Sequence, residues 1–158
     1  GQALGLGDIG NLWVSGDSAA AFYWRKHTKS KATMVGDWIV TGDKYYVDPD
    51  GYFCYCGRAD DMLKCSGQWV SPIEVENMLI THPAILESAV VGRQDDDELI
   101  KPMAFIVLKK DAKAPTLDEL KSFLRGKIAG YKVPHWLEVV AELPKTATGK
   151  IQRFKLRA

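Results

Sequence analysis

Hydrophobic and polar positions change their period once along this chain. Up to about Gly57 the apolar residues fall in short runs rich in aromatic and β-branched side chains. These are residues 9–15 (IGNLWVS), then Trp38-Ile39-Val40 ending at Thr41-Gly42-Asp43, then Tyr45-Tyr46-Val47 and Tyr52-Phe53-Cys54-Tyr55. Such lengths and residue types predict strands. The last two flank Asp48-Pro49-Asp50-Gly51, where proline presets φ and glycine accepts a positive φ, so they predict a hairpin.

After Gly57 the texture changes. Ser71 is an N-cap candidate, Pro72 suits a first turn and Glu74 stands three residues after the cap. Ile73, Val75, Glu76 and Leu79 carry that helix to about Thr81, where His82-Pro83 stops it. Residues 85–91 and 103–108 read as strands separated by the acidic loop Asp95-Asp96-Asp97-Glu98. Thr116 caps a second helix whose apolar face is Leu117, Leu120, Leu124 and Ile128. Residues 136–140 read as a last strand, followed by a polar loop and a short basic tail helix. Strands and helices that must cover one another make this an α+β fold. The boundary falls near Gly57-Arg58-Ala59-Asp60, where a β region ends and about a hundred residues, an ordinary domain size, begin.

Composition narrows the class. The 158 residues suffice for one domain with a core, or one domain and a piece of another. A formal net charge of +1 gives no general reason to expect nucleic acid or an anionic membrane as partner. No apolar run approaches the ~20 residues that span a bilayer. The start, GQALGLGDIGNLWVSG, has none of the parts of a secretory signal and opens in mid-pattern, as a fragment would. Cys54 and Cys56 alternate along one strand and Cys65 stands apart, with no CxxC or paired histidine to suggest zinc. They read as reduced structural thiols of a cytoplasmic protein. His27, His82 and His135 are scattered and read as surface or packing residues.

Three polar, glycine-bearing stretches interrupt the hydrophobic pattern. Thr41-Gly42-Asp43 puts a carboxylate just past a strand end, able to accept two hydrogen bonds from a vicinal diol such as ribose. A turn aspartate that satisfies backbone N–H groups is the other reading. In residues 57–67 (GRADDMLKCSG), Arg58 can donate to a phosphate or sugar and Gly67 lets backbone approach a ligand closely, or the stretch is a charged linker. Residues 144–153 (PKTATGKIQR) present two lysines among small hydroxyl side chains, either to a phosphate or to solvent. This is not a Walker loop, since Pro144 stands where the first glycine belongs and Ile151 where a Mg²⁺-binding Ser or Thr belongs. Gly5-Leu6-Gly7 neither follows a strand nor opens a helix, and Asp48-Pro49-Asp50-Gly51 lacks the rest of an EF-hand loop.

Together these stretches resemble the adenylate-forming superfamily of acyl-CoA synthetases, peptide-synthetase adenylation domains and luciferases. Residues 10–16 (GNLWVSG) are similar to its GELxVxG stretch, with Asn11 in place of Glu. Residues 36–43 (GDWIVTGD) are similar to DGWxxTGD, Asp50-Gly51-Tyr52 through Lys64 to DGyxxxxGRxDDxiK, and residues 144–153 to PKTxxGKIxR. The likeness spans essentially the whole chain, and its overall look is that of benzoate–CoA ligases and medium-chain relatives.

The resemblance implies that residues 1–59 are the β-rich edge of a large N-terminal domain and 60–158 a small mobile lid. By the same likeness Asp43 binds the ribose hydroxyls of ATP and AMP, with Arg58 and the aromatic Tyr55 beside the nucleotide. Asp60 is the hinge about which the lid turns between two half-reactions. Lys150 is the catalytic lysine of the first, in which a carboxylic acid and ATP form an acyl-adenylate. In the second, the Ser66-Gly67-Gln68 loop surrounds the pantetheine arm of coenzyme A, and Arg125 and Lys132 offer positive charge to its nucleotide. Glu98, Val133 and His135 depart from the basic or aromatic residues of some relatives. Mg²⁺ is expected mainly on the N-terminal domain, with no metal ligand in this chain. Likeness to regulated acyl-CoA synthetases also implies reversible acetylation of Lys150, with a lysine acetyltransferase and deacetylase as partners. Rival readings are a medium-chain or acetyl-CoA synthetase, a peptide-synthetase adenylation domain, and a stand-alone binding module.

Overall fold

The computed structural model describes residues 3–157, which divide into two units, Gly1–Asp60 and Asp61–Ala158. The first holds β1 (Gly10–Val14), helix α1 (His27–Thr33), β2 (Met34–Val35), β3 (Trp38–Val47) and β4 (Phe53–Arg58). All pairings are antiparallel and run through β3, with β1 on one side and β2 and β4 on the other. The β3–β4 hairpin closes as its sequence predicts. Asp48 Oδ1 accepts from the backbone N–H of Asp50 (3.0 Å) and Tyr52 (2.8 Å), and Gly51 sits at φ 86°.

One expectation for this unit needs correction. Thr41-Gly42-Asp43 does not lie past a strand end, because β3 runs unbroken from Trp38 to Val47. Gly42 takes φ 77° and the register slips between Lys44 and Tyr45, so the chain kinks without leaving the ladder. The sequence pattern does not announce α1 at all. Its residues, HTKSKAT, carry no apolar stripe and none is buried.

The second unit begins with a hairpin of β5 (Leu63–Cys65) and β6 (Gln68–Val70), turned by Ser66 and Gly67 at φ 50° and 79°. Two successive residues at positive φ are what a tight two-residue hairpin turn demands. Helix α2 (Pro72–Leu79) follows, capped by the Ser71 hydroxyl, which accepts from Glu74 N at 3.2 Å. A three-stranded sheet holds the middle of the unit, with β7 (Ile85–Gln94) antiparallel to β8 (Ile100–Leu108) and β9 (Trp136–Val139) parallel to β8. Between β8 and β9 runs α3 (Leu117–Leu124), which ends before Ile128 because Gly126 turns the chain at φ 78°. Ile128 still packs against the core from outside the helix.

Strand alternation sends β7 and β8 side chains to two faces, each with its own cover. Val90, Ala104 and Ile106 pack with Val75 and Leu79 of α2, Leu120 and Leu124 of α3, and Leu63 and Val70. Ala89, Val91, Met103, Phe105 and Val107 pack instead with Leu143, Val140, Ile151 and Leu156 of the C-terminal segment. Helices therefore cover one face only. The other is closed by the polar-looking tail, whose few apolar residues serve as anchors.

Candidate functional site

In the first unit, Asp43 and Arg58 are direct partners across the β3–β4 ladder. Arg58 Nη1 donates to Asp43 Oδ1 at 3.1 Å and to the Thr41 carbonyl at 3.0 Å, and Arg58 Nε lies 3.6 Å from Asp60 Oδ1. The guanidinium crosses directly over Gly42, where an added Cβ would meet Arg58 Nη2 at 3.0 Å. Gly42 is thus required twice, for its φ and for this close approach. Partial burial by itself would lower the Arg58 pKa, but the hydrogen bond and charge of Asp43, with Asp60, outweigh it and hold it above its ordinary value. Arg58 engages only Oδ1 of the Asp43 carboxylate. Tyr55 is half-exposed and sits opposite Tyr45 with ring centroids 5.2 Å apart and the planes tilted by 54°, while Phe53 meets Tyr45 edge-on at 6.5 Å.

In the second unit, residues 144–153 form a closed hairpin rather than a loose loop. Gly149 N donates to Thr146 O (2.9 Å), Thr146 N to Lys150 O (2.9 Å), Lys150 N to Thr146 Oγ1 (3.1 Å) and Gln152 N to Pro144 O (2.8 Å). Gly149, at φ 82°, supplies the left-handed residue that ends a three-residue hairpin loop. The two lysines differ. Lys145 Nζ is 2.7 Å from Glu87 Oε1, whereas Lys150 is exposed and makes no ion pair among the described residues.

Residues 74–150 match the family model described as the AMP-binding enzyme C-terminal domain. The chain is 55% identical over 154 residues to the benzoate–CoA ligase of Thauera aromatica, covering 96% of this chain and 29% of that protein. The 4-hydroxybenzoate–CoA/benzoate–CoA ligase of Rhodopseudomonas palustris is 48% identical over 160 residues, covering 99% and 30%. A benzoate CoA ligase structure from Burkholderia xenovorans LB400 superposes with a TM-score of 0.89 at 50% identity, over 100% of this chain and 32% of that one. Residues 74–150 thus match an AMP-binding enzyme C-terminal domain, and nearly the whole chain is similar to aryl-acid CoA ligases. An anthranilate CoA ligase in complex with anthranoyl-AMP is similar too, with a TM-score of 0.93 at 52% identity, over 99% and 31%. The chain spans about a third of the length of these adenylate-forming relatives.

The residues singled out by resemblance to the superfamily fall into separate groups. Asp43, Arg58 and Asp60 are brought together within the first unit. Ser66, Gly67 and Gln68 form the tip of the β5–β6 hairpin, and the open space around Gly67 shows that glycine serves the turn there. Arg125 is exposed at the end of α3, and Lys132 is held by Glu74, so among the described residues no hydrogen bond or ion pair links these three places. No group of three or more His, Cys, Asp or Glu side chains is placed to hold a metal ion among the described residues.

One cluster was missed by sequence reasoning. Arg153 Nε and Nη2 donate to the two oxygens of Glu76 at 3.0 and 2.6 Å, and Nη1 reaches Asp61 Oδ2 at 3.4 Å. Arg157 donates to the other Asp61 oxygen. A signal did exist: Glu76 occupies the buried stripe of α2 with Pro72, Val75 and Leu79, where an unpaired carboxylate would be costly.

Proposed function

We propose that this chain is the C-terminal portion of an AMP-forming ligase that converts an aryl carboxylate of the benzoate type, ATP and CoA to acyl-CoA, AMP and pyrophosphate. The observation that carries this reading is an exposed, unpaired Lys150 on a braced hairpin, in a chain 55% identical to a benzoate–CoA ligase. In the first half-reaction a carboxylate oxygen attacks the α-phosphorus of ATP and the bond to the bridging oxygen breaks, releasing pyrophosphate. Negative charge meets negative charge in that transition state. The Lys150 ammonium stabilises it by contacting both carboxylate and phosphate. Asp43 accepts the ribose hydroxyls, and Arg58 holds Asp43 in place while offering its remaining donors to the nucleotide.

In the second half-reaction the CoA sulfur attacks the acyl carbon, its proton is lost to solvent, and AMP leaves. The lid, from Asp60 onward, turns to withdraw Lys150 and bring the Ser66-Gly67-Gln68 turn to the pantetheine arm. Arg125 and Lys132 offer positive charge to the CoA nucleotide. Acetylation of Lys150 by a lysine acetyltransferase would remove the ammonium charge and stop the first step alone. The protein works in the cytoplasm.

The likeness extends to a human mitochondrial acyl-coenzyme A synthetase, at 47% identity over 82% of this chain, so a non-aryl acid such as a medium-chain one is the second reading. Thioester formation by the full-length enzyme with benzoate, hydroxybenzoates, hexanoate, octanoate and acetate decides between them. Benzoate is expected to give the highest kcat/KM. Preference for octanoate would overturn the aryl assignment and leave the ligase chemistry standing.

A further inference from the structure

Lys150 has a long, flexible side chain on an exposed hairpin, yet adenylation asks it to meet two anions in one geometry. Something must fix its backbone. Upstream, Leu143 is buried and Lys145 is tied to Glu87 of β7. Downstream, Ile151 packs on the sheet, and two residues later Arg153 reaches Glu76 with a two-pronged contact.

That contact is protected and fully committed. The Arg153 side chain is 15% exposed and that of Glu76 10%. Glu76 Oε1 also accepts from Val90 N at 2.8 Å, which fixes the carboxylate between α2 and β7. The third Arg153 nitrogen meets Asp61, the first residue of the second unit, which Arg157 also holds. Two carboxylates and two guanidinium groups therefore join the start of this unit, its first helix, its sheet and its tail. A planar guanidinium facing a carboxylate with two parallel bonds sets orientation as well as distance, which a lysine could not do.

We propose that Arg153, through Glu76 and Asp61, is a positioning residue for Lys150. It locks the Lys150 hairpin to α2 and β7 so that the lysine travels with the unit as one body and arrives in register. The inference rests on the reading of Lys150 given above. Asp61, pinned on two arginines, also sets a limit beyond which the chain does not flex, so the turning point lies before it.

The test uses the full-length enzyme with Arg153→Met, Arg153→Lys and Glu76→Gln, each alone and combined with Lys150→Ala. Adenylation is read by pyrophosphate exchange, and thioester formation is read from supplied acyl-adenylate. Arg153→Met should lower the adenylation kcat about a hundredfold, the scale of a 1 Å misplacement, with KM for ATP nearly unchanged. Thioester formation should stay within about threefold, because Lys150 does not take part in it. Arg153→Lys should recover little, since it restores charge without the fork. In the Lys150→Ala background Arg153→Met should cost nothing further, because there is no lysine left to place. Glu76→Gln keeps the Val90 bond and the shape of the side chain, and decides the matter if Arg153→Met does not fold. Equal losses in both half-reactions, or a further loss on top of Lys150→Ala, would mean a general structural role and overturn the inference. If Lys150→Ala is impaired while folded Arg153→Met and Glu76→Gln adenylate normally, the inference alone falls. If Lys150→Ala itself adenylates normally, the catalytic reading falls and takes this inference with it.

Discussion

Lys132 Nζ donates to both carboxylate oxygens of Glu74, at 2.6 and 2.8 Å, linking the 3-10 turn Gly130–Lys132 to the first turn of α2. A lysine so placed is not free to meet an anion without giving up its partner. If it contributes to CoA binding, it does so in competition with Glu74.

Glu74→Gln should therefore lower KM for CoA in the full-length enzyme. The Glu74 side chain is 44% exposed, and exposed pairs are worth about 0.2–1 kcal/mol, so the change should not exceed about fivefold. Lys132→Ala should raise KM for CoA. Steady-state kinetics with CoA varied at saturating acid and ATP gives both. An unchanged KM in both variants would make the pair a brace between two elements and nothing more.

The two half-reactions should separate Lys150 from Asp43. Lys150→Ala should lose about a hundredfold or more in adenylation and little in thioester formation from supplied acyl-adenylate. Asp43→Ala should impair both, because the ribose is present in ATP and in the adenylate alike. Lys145→Ala, in the same hairpin but paired with Glu87, should lose only a few-fold. Single-turnover assays of each half-reaction would show the pattern. A Lys145→Ala defect equal to that of Lys150→Ala would mean that the wrong lysine has been assigned.

The parts of this fold that are legible in the sequence are those with local causes. Ser71-Pro72 and Thr116 announce α2 and α3 because a cap is written within four residues. Pro49 and Gly51 announce the β3–β4 turn for the same reason. Ile128 extends the apolar period of α3 by a turn that the helix does not take, since periodicity does not register the positive φ of Gly126. The three-residue strands β5 and β6 are too short to show a period. Site residues follow the same division. Asp43, Arg58 and Lys150 are recognisable in motifs, but their hydrogen-bond partners depend on register. The Asp43–Arg58 contact needs a strand that kinks without ending, and the Asp61–Arg153 contact joins residues 92 positions apart.

Acid should weaken α3 through its cap. Thr116 and Glu119 form a reciprocal box, with Thr116 N donating to Glu119 Oε2 at 2.7 Å and Glu119 N to Thr116 Oγ1 at 3.2 Å. The backbone N–H of Thr116, and then its hydroxyl, hold the Glu119 pKa below its ordinary value of 4.5. A depressed folded pKa means stability that is complete above 4.5 and lost as pH falls through the folded value. Glu119→Ala should therefore be less stable than the parent chain at neutral pH, with the gap in Tm closing in acid. A gap that widened on acidification would contradict the sign of this linkage.

The second unit should fold by itself. Both hydrophobic clusters lie wholly within residues 61–158, as does the whole ion cluster of Asp61, Glu76, Arg153 and Arg157. Each sheet face is closed by elements of the same unit, so separation leaves neither without its cover. A polypeptide of residues 61–158 should melt in a single cooperative transition, followed by circular dichroism at two wavelengths. Its starting residue matters, because Asp61 shares Arg153 and neutralises Arg157. Asp61→Asn should cost about 1–2 kcal/mol, less than breaking a buried pair outright, since Arg153 keeps both bonds to Glu76. For a unit of about 100 residues that is a fall in Tm of roughly 5–10 °C. A broad, uncooperative melt of residues 61–158 would show that its core needs cover from the first unit. A cooperative melt that Asp61→Asn leaves unmoved would show that Glu76 alone holds the tail.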